Sequence, residues 1–258
     1  MLTSEISISV IGAGNVAWHL AKRLFVRGYS IRCVFSRNLS HATLLAKQLK
    51  AEAVDNITSV PVSDLYLFSV KDDAYREIIS AFPKTKAICV HTSGSLEMDI
   101  LENLSDCYGV LYPFQSFSKD KFITFEQVPL CVEASNHQTE QFLMEFARVI
   151  SPITYYLNTE QRAYLHLAGV FASNFSNALY VIAQQILQQR NIDFKIILPL
   201  IKETVEKVNN LSPIEAQTGP AVRNDVGIIN KHIEMINNTD LKVLYQLLSN
   251  IIQKQHTI

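Results

Sequence analysis

The 258-residue chain is poor in glycine and proline, with eight of each, and only 18% of it is charged. Beside 48% apolar residues, those shortages exclude a disordered or collagen-like chain and leave a folded protein with a real core. Its length exceeds the commonest single-domain size, so two moderate domains are expected. Charge of one sign is lacking too. Lys and Arg number 23 against 24 Asp and Glu, a formal net charge of -1, so no surplus of cations holds a polyanion and nucleic acid is not an expected partner. The four cysteines, Cys33, Cys89, Cys107 and Cys131, form no CxxC pair and lie in apolar or β-favouring runs, which predicts buried reduced thiols. No HxH or HExxH spacing joins His91, His166 and His232, and no metal is expected. The opening MLTSEISISVIGAG has no basic stretch followed by an apolar run and a cleavage site, so a cytoplasmic location is expected. The longest apolar stretch, 163–183, has the length of a membrane span, but His166, Ser173, Asn174, Ser176 and Asn177 interrupt it. It reads as a buried helix, with no membrane partner.

What is present is a regular alternation. Residues 6–11 alternate Ile and Ser before turning apolar ahead of Gly12, the pattern of a strand; 14–27 then repeat apolar residues about every four, and Gly28 stops the helix. Further strands are expected at 31–35, 65–70, 87–90, 107–111, 129–133 and 153–157, with helices at 39–49, 72–82, 96–104 and 138–150. Strands separated by helices need crossover connections, which argues for βαβ units and a mainly parallel sheet. From 158 onward every segment reads as helix. Asn158 and Gln161 form a capping box opening a helix of about thirty residues, as far as Leu187. Asp193 opens another, which Pro199 should kink or split. Ser212, Pro213 and Glu215 cap a third, a helix spans 221–236, and Asp240 caps the last. The expected division is 1–157, an α/β domain, and 158–258, all helical.

The chemistry concentrates at the ends of the strands. Gly12-Ala13-Gly14-Asn15-Val16-Ala17 is the GxGxxA form of the dinucleotide fingerprint, set between a strand and a helix as a Rossmann-type domain requires. Gly12 permits the turn, Gly14 lets the backbone approach a diphosphate, and Ala17 keeps the helix close to the sheet. The free N–H groups of that helix then face the phosphates. After the second strand, where a carboxylate would select NAD, the chain reads Phe35-Ser36-Arg37-Asn38. A hydroxyl and a guanidinium suit a 2′-phosphate, so NADP(H) is the expected cofactor unless Arg37 is only a solvated charge. Val70 and Lys71, then His91, Thr92, Ser93 and Gly94, follow later strands and should border the ribose and nicotinamide. His91 is either a general acid or a structural hydrogen-bonder. A third loop, Leu111 to Ser116, brings further hydrogen-bonding groups.

On the long helix His166, Gly169, Ser173, Asn174 and Asn177 fall at helical steps among apolar neighbours. A small and polar face buried there needs polar partners, either an internal or intersubunit network or a nicotinamide pocket in which His166 handles a proton. In TGPAVRND at 218–225, Arg223 opposes the dipole of the helix expected from 221, which an anion would reconcile; pairing with Asp225 is the alternative.

With GAGNVAWHLA at 12–21, HTSGS at 91–95, YPFQSFS at 112–118, HLAGVFASNFSNAL at 166–179 and TGPAVRND at 218–225, nearly the whole chain resembles a family of Rossmann-like oxidoreductases with a helical carboxyl-terminal domain of unknown function. That family is similar to pyrroline-5-carboxylate reductase, the 3-hydroxyacid dehydrogenases and the deazaflavin-dependent NADP oxidoreductases. The resemblance implies an NADP-binding Rossmann domain, an all-helical domain of the 6-phosphogluconate dehydrogenase C-terminal type, and a homodimer formed mostly through that domain. The lysine that 3-hydroxyacid dehydrogenases carry on the interdomain helix has no counterpart here, where His166 and Asn174 stand at a wider spacing. The expected function is NADP(H)-dependent reduction of a small carbonyl or imine, with or without an anionic group: His166, Ser93 or water supplies the proton, Asn174 fixes the reacting group and Arg223 holds the anion. The alternative is a regulatory or assembly protein that binds NADP(H) without turnover.

Overall fold

The computed structural model describes residues 6–256. β1 (Ser7–Ile11), α1 (Asn15–Val26), β2 (Ser30–Phe35), α2 (Leu39–Leu49), β3 (Glu52–Val54), β4 (Leu65–Phe68), α3 (Tyr75–Ala81), β5 (Ile88–His91), β6 (Tyr108–Pro113), β7 (Leu130–Ala134), α4 (His137–Ile150) and β8 (Thr154–Tyr156) follow in turn. They build one eight-stranded sheet in the order β3-β2-β1-β4-β5-β6-β7-β8. Every neighbouring pair is parallel except β6 and β7. Strand order reverses between β1 and β4, and a crevice for ligands opens at such a switch point, outside the carboxyl ends of the strands.

Because successive strand residues point to opposite faces, each strand feeds two cores. Ile8 and Val10 of β1 and Leu65 and Leu67 of β4 pack with Leu20, Leu24, Leu45 and Phe146 on one face. Ile11, Tyr66 and Phe68 pack with Tyr75, Ile78 and Phe82 on the other. Burial on both faces is why the strands read as nearly unbroken apolar runs. Cys33, Cys89 and Cys131 are buried within this sheet, Cys107 is half-buried, and all four are free. Burial pushes the thiols of Cys33 and Cys131 up to about 11 and that of Cys89 to about 12, which keeps them protonated and inert.

Some elements differ from the sequence expectation. β3 was not foreseen; it has only three residues, opens on a charge and lies at the sheet edge. The helix expected over 96–104 is a single 3-10 turn, Met98–Leu101. Its two flanks serve the adjoining loops instead.

After β8 the chain enters α5 (Thr159–Gly169), passes through a π-helical stretch, Val170–Phe175, and continues as α6 (Ser176–Gln188). The Asn158–Gln161 capping box is formed in both directions. Two compact units divide inside this helix, Met1–Ala178 and Leu179–Ile258. Contrary to expectation the helix is not buried beyond Arg162 in its first turn. None of its most apolar stretch, though long and apolar enough to cross a membrane, is covered within the chain, and Phe171 and Phe175 are 62% and 50% exposed. Apolar periodicity records that a face is to be covered, not which molecule covers it.

In the second unit a 3-10 turn, Phe194–Ile197, leads into α7 (Leu198–Lys207), with Pro199 in its first turn, so the proline starts a helix and splits the segment as expected. α8 (Pro213–Ala216) carries the Ser212–Glu215 capping box. α9 (Val226–Met235) begins five residues later than the expected 221, because Asp225 is its cap and its carboxylate accepts the N–H of Ile228 at 3.2 Å. α10 (Thr239–His256) is capped by Asn238, whose side chain accepts the N–H of Leu241 at 3.0 Å, and Asp240 lies in its first turn instead.

Candidate active site

The turn after β1 is fixed by Gly12, which sits at φ +128° with its N–H on the Phe35 carbonyl at 2.8 Å. A Cβ there would lie 2.1 Å from the Ser69 carbonyl oxygen, so only glycine fits. Gly14 differs. It caps α1 with an ordinary φ of -75°, and a Cβ would meet nothing within 4 Å. Packing therefore does not demand glycine at 14; open space stands in front of the helix instead. No side chain caps α1 and no acidic residue occupies its first turn, which leaves its N–H groups and positive dipole end for an anion. A diphosphate fits that donor set.

Around this turn runs a cleft of about 780 Å³ lined by Gly12, Ala13, Gly14, Asn15 and Val16, by Ser36 and Arg37 after β2, by Val70 and Lys71 after β4, and by Thr92, Ser93 and Gly94 after β5. At its far end it reaches Tyr112 and His166. Arg37 reaches Glu77 at 3.2 Å, with both side chains mostly exposed. Such a pair is worth about 0–1 kcal/mol, so it leaves the guanidinium available to a phosphate. Asn15 donates to the Phe117 carbonyl at 2.9 Å and His19 bonds that of Ser118 at 2.8 Å, which ties the loop after β6 to α1.

His91 was expected among the residues bordering the cofactor and does not line the cleft. It is fully buried at the end of β5, and its Nδ1 accepts the N–H of Ser93 at 3.2 Å. Burial, then the nearby Arg162 charge, pulls its pKa down to about 3, so it is a neutral imidazole shaping the loop, not an acid. Ser93 is also mostly buried, its oxygen accepting the N–H groups of Ser95 and Leu96, each at 3.1 Å. Ser95 in turn donates to Asp72, joining the loops after β5 and β4.

A tyrosine–histidine pair lies across from this loop. Tyr112 Oη and His166 Nδ1 are 3.0 Å apart, joining the end of β6 to the last turn of α5. Burial pushes the Tyr112 phenol up to about 12 and keeps it protonated. Gly94 makes room for them, since a Cβ there would come within 2.7 Å of both His166 Nδ1 and Tyr112 Cζ. Gly169, one turn beyond His166, likewise admits the Phe114 ring, which would meet a Cβ at 2.7 Å. Beside the pair is a second pocket of about 310 Å³, lined by Tyr112, Phe114, Gln115, Ser116, His166, Gly169, Val170, Ala172, Ser173 and Asn174. Among the described residues no Asp, Glu, Lys or Arg lines it. The π-helical stretch supplies Val170, Ala172, Ser173 and Asn174, and such distortions are frequent at functional sites.

Ser93, His166 and Asn174 thus border these two cavities. Arg223 belongs to the second compact unit, in the turns before α9, with its N–H on the Gly219 carbonyl. Since α9 starts at Val226, Arg223 does not oppose a helix dipole, and that ground for giving it an anion is withdrawn. Sequence reasoning missed the Tyr112–His166 pairing and the Arg162–Glu133 ion pair, buried at 3.0 Å behind the Ser93 loop. Only the YPF string carried a hint of the first.

Residues 7–91 match the family model described as NADP oxidoreductase, coenzyme F420-dependent, and 128–252 match a domain of unknown function, DUF2520. Among solved structures, a "putative NADP oxidoreductase" from Bacteroides fragilis is 39% identical, with a TM-score of 0.91 over 98% of this chain and 100% of that one. A pyrroline-5-carboxylate reductase from Coxiella burnetii is 16% identical, with a TM-score of 0.58 over 98% and 99% of the two chains. A reductive aminase from Aspergillus terreus, in complex with NADPH and ethyl-5-oxohexanoate, is 12% identical, with a TM-score of 0.65 over 97% and 87%. At such identities the last two share the fold. No curated protein matches the sequence.

Proposed function

This chain belongs to the NADP oxidoreductase family of the Bacteroides fragilis protein, and on that premise we propose that it reduces a small carbonyl or imine at the Tyr112–His166 pair. The observation that carries the reading is that His166 borders both the cofactor cleft and the smaller pocket. The free N–H groups of α1 and the Gly12–Val16 turn hold the diphosphate; Ser36 and Arg37 take the 2′-phosphate; Val70, Lys71, Thr92, Ser93 and Gly94 border the nicotinamide half. NADPH, when bound, supplies the hydride. With the Tyr112 hydroxyl as donor to Nδ1, the His166 imidazole points its Nε2 proton at the substrate oxygen or nitrogen; as that proton leaves, the Tyr112 proton moves to Nδ1 and solvent water replaces it. Asn174 orients the reacting group. Because the smaller pocket carries no cation, its lining favours an uncharged substrate group over a carboxylate.

Residues 1–157 serve the nucleotide, and 158–258 serve substrate and dimerisation. A second copy of the chain covers the apolar helix faces. Four free thiols suit the reducing cytoplasm.

NADPH oxidation followed against a panel of aldehydes, keto acids and imines tests the function. Turnover is expected, and His166→Gln should lower it at least about 100-fold while NADPH still binds. Binding without any turnover would replace this reading with the regulatory one.

A further inference from the structure

Arginine is seldom fully buried, and a buried guanidinium needs a counter-charge. Arg162, in the first turns of α5, is only 1% exposed and is the largest fully buried side chain among the described residues. Its Nη2 donates to Glu133 Oε2 at 3.0 Å and to Thr159 Oγ1 at 3.3 Å, while Nη1 donates to the Ser93 carbonyl at 3.1 Å. Thr159 closes the network by donating to Glu133 Oε1 at 2.7 Å.

Stripping two ions of water makes such a pair a poor source of stability compared with apolar residues of the same volume. What it supplies is geometry. A guanidinium is planar and offers its donors in a fixed fork, so holding these acceptors fixes β7 through Glu133, the loop after β5 through Ser93, and α5 through Arg162 itself. Ser93 and Gly94 border the cofactor cleft, and His166 follows Arg162 by four residues on the same helix face. The clearance between them is narrow, as the missing Cβ of Gly94 shows.

We propose that Arg162 is a positioning residue for the reduction. It sets the gap between the Ser93–Gly94 loop and His166 in which the nicotinamide end is held, without touching cofactor or substrate. The inference rests on the NADP(H) reading above.

Arg162→Lys keeps the charge and loses the fork. Two probes report on the two ends of the cleft: 2′,5′-ADP by calorimetry for the adenosine end, and the emission of bound NADPH for the nicotinamide. The variant should bind 2′,5′-ADP within twofold of the unaltered protein, while the change in NADPH emission at saturation falls to less than half. A merely structural role would alter both probes together, and that result, or unaltered emission, would overturn the proposal. If Arg162→Lys does not fold, Thr159→Val, which removes the hydroxyl shared by both ions, should reduce the emission change in the same direction by a smaller factor; no reduction would sink the idea equally. Unaltered protein that binds neither probe would overturn the cofactor reading and this inference with it. Binding of both, with emission unmoved in the variants, would overturn the positioning role alone.

Discussion

At Gly12 a single methyl group is forbidden by backbone; at Gly14 nothing in the protein forbids it. Gly12→Ala is therefore expected to cost about 3 kcal/mol or more, lowering the melting midpoint by roughly 6–12 °C. Gly14→Ala should leave stability within about 0.5 kcal/mol and weaken NADPH binding at least about tenfold, as calorimetry and thermal melts on the two variants will read. His91 makes the other prediction at this scale. Its folded pKa of about 3 lies below the ordinary value of 6.5, so its contribution to stability is complete above 6.5 and is lost as pH falls toward 3. At pH 5 the unfolded chain gains about 2 kcal/mol by protonating this imidazole while the fold does not. Removing it in His91→Gln should shrink the drop in melting midpoint between pH 7.5 and pH 5 by roughly 4–8 °C relative to the unaltered protein. An unchanged drop would mean that the imidazole is not buried neutral.

Among the elements, α5 has the most depending on where it starts. Asn158 accepts the N–H of Gln161 at 2.9 Å, and the Gln161 side chain accepts that of Asn158 at 3.0 Å. Asn158→Ala should cost about 1 kcal/mol, seen as a midpoint lower by a few degrees, with substrate turnover reduced because Arg162, which holds the Ser93 loop, rides on the turn that frays. This cap was legible in the sequence because its two halves are three residues apart. So was the fingerprint at 12–17, and so were the strands whose two buried faces leave continuous apolar runs. β3 was not, being too short to show a period. The Tyr112–His166 contact spans 54 residues and the Arg162–Glu133 pair spans 29, and no local pattern announces either. Arg162 stands in TEQRAYLH, which reads like any solvated helix face until the fold puts a carboxylate against it.

Over the whole molecule, apolar surface is distributed unevenly. The sheet hides its central strands on both faces, whereas in the second unit Leu200, Val243 and Met235 are 66%, 58% and 75% exposed, and few of the described side chains there are buried at all. Surface of that kind suits the dimer proposed above, and a near-neutral net charge does nothing to keep two copies apart. Light scattering should give twice the chain mass, and the melting midpoint should rise with protein concentration. A monomer with a concentration-independent midpoint would contradict the dimer. α5 is tied to the sheet through its Arg162–Glu133 pair. A fragment cut after Leu157 would keep every strand yet leave the Glu133 carboxylate without its cation, which goes with the discarded piece. One cut after Ala178 would carry the arginine along and should melt at the higher temperature of the two.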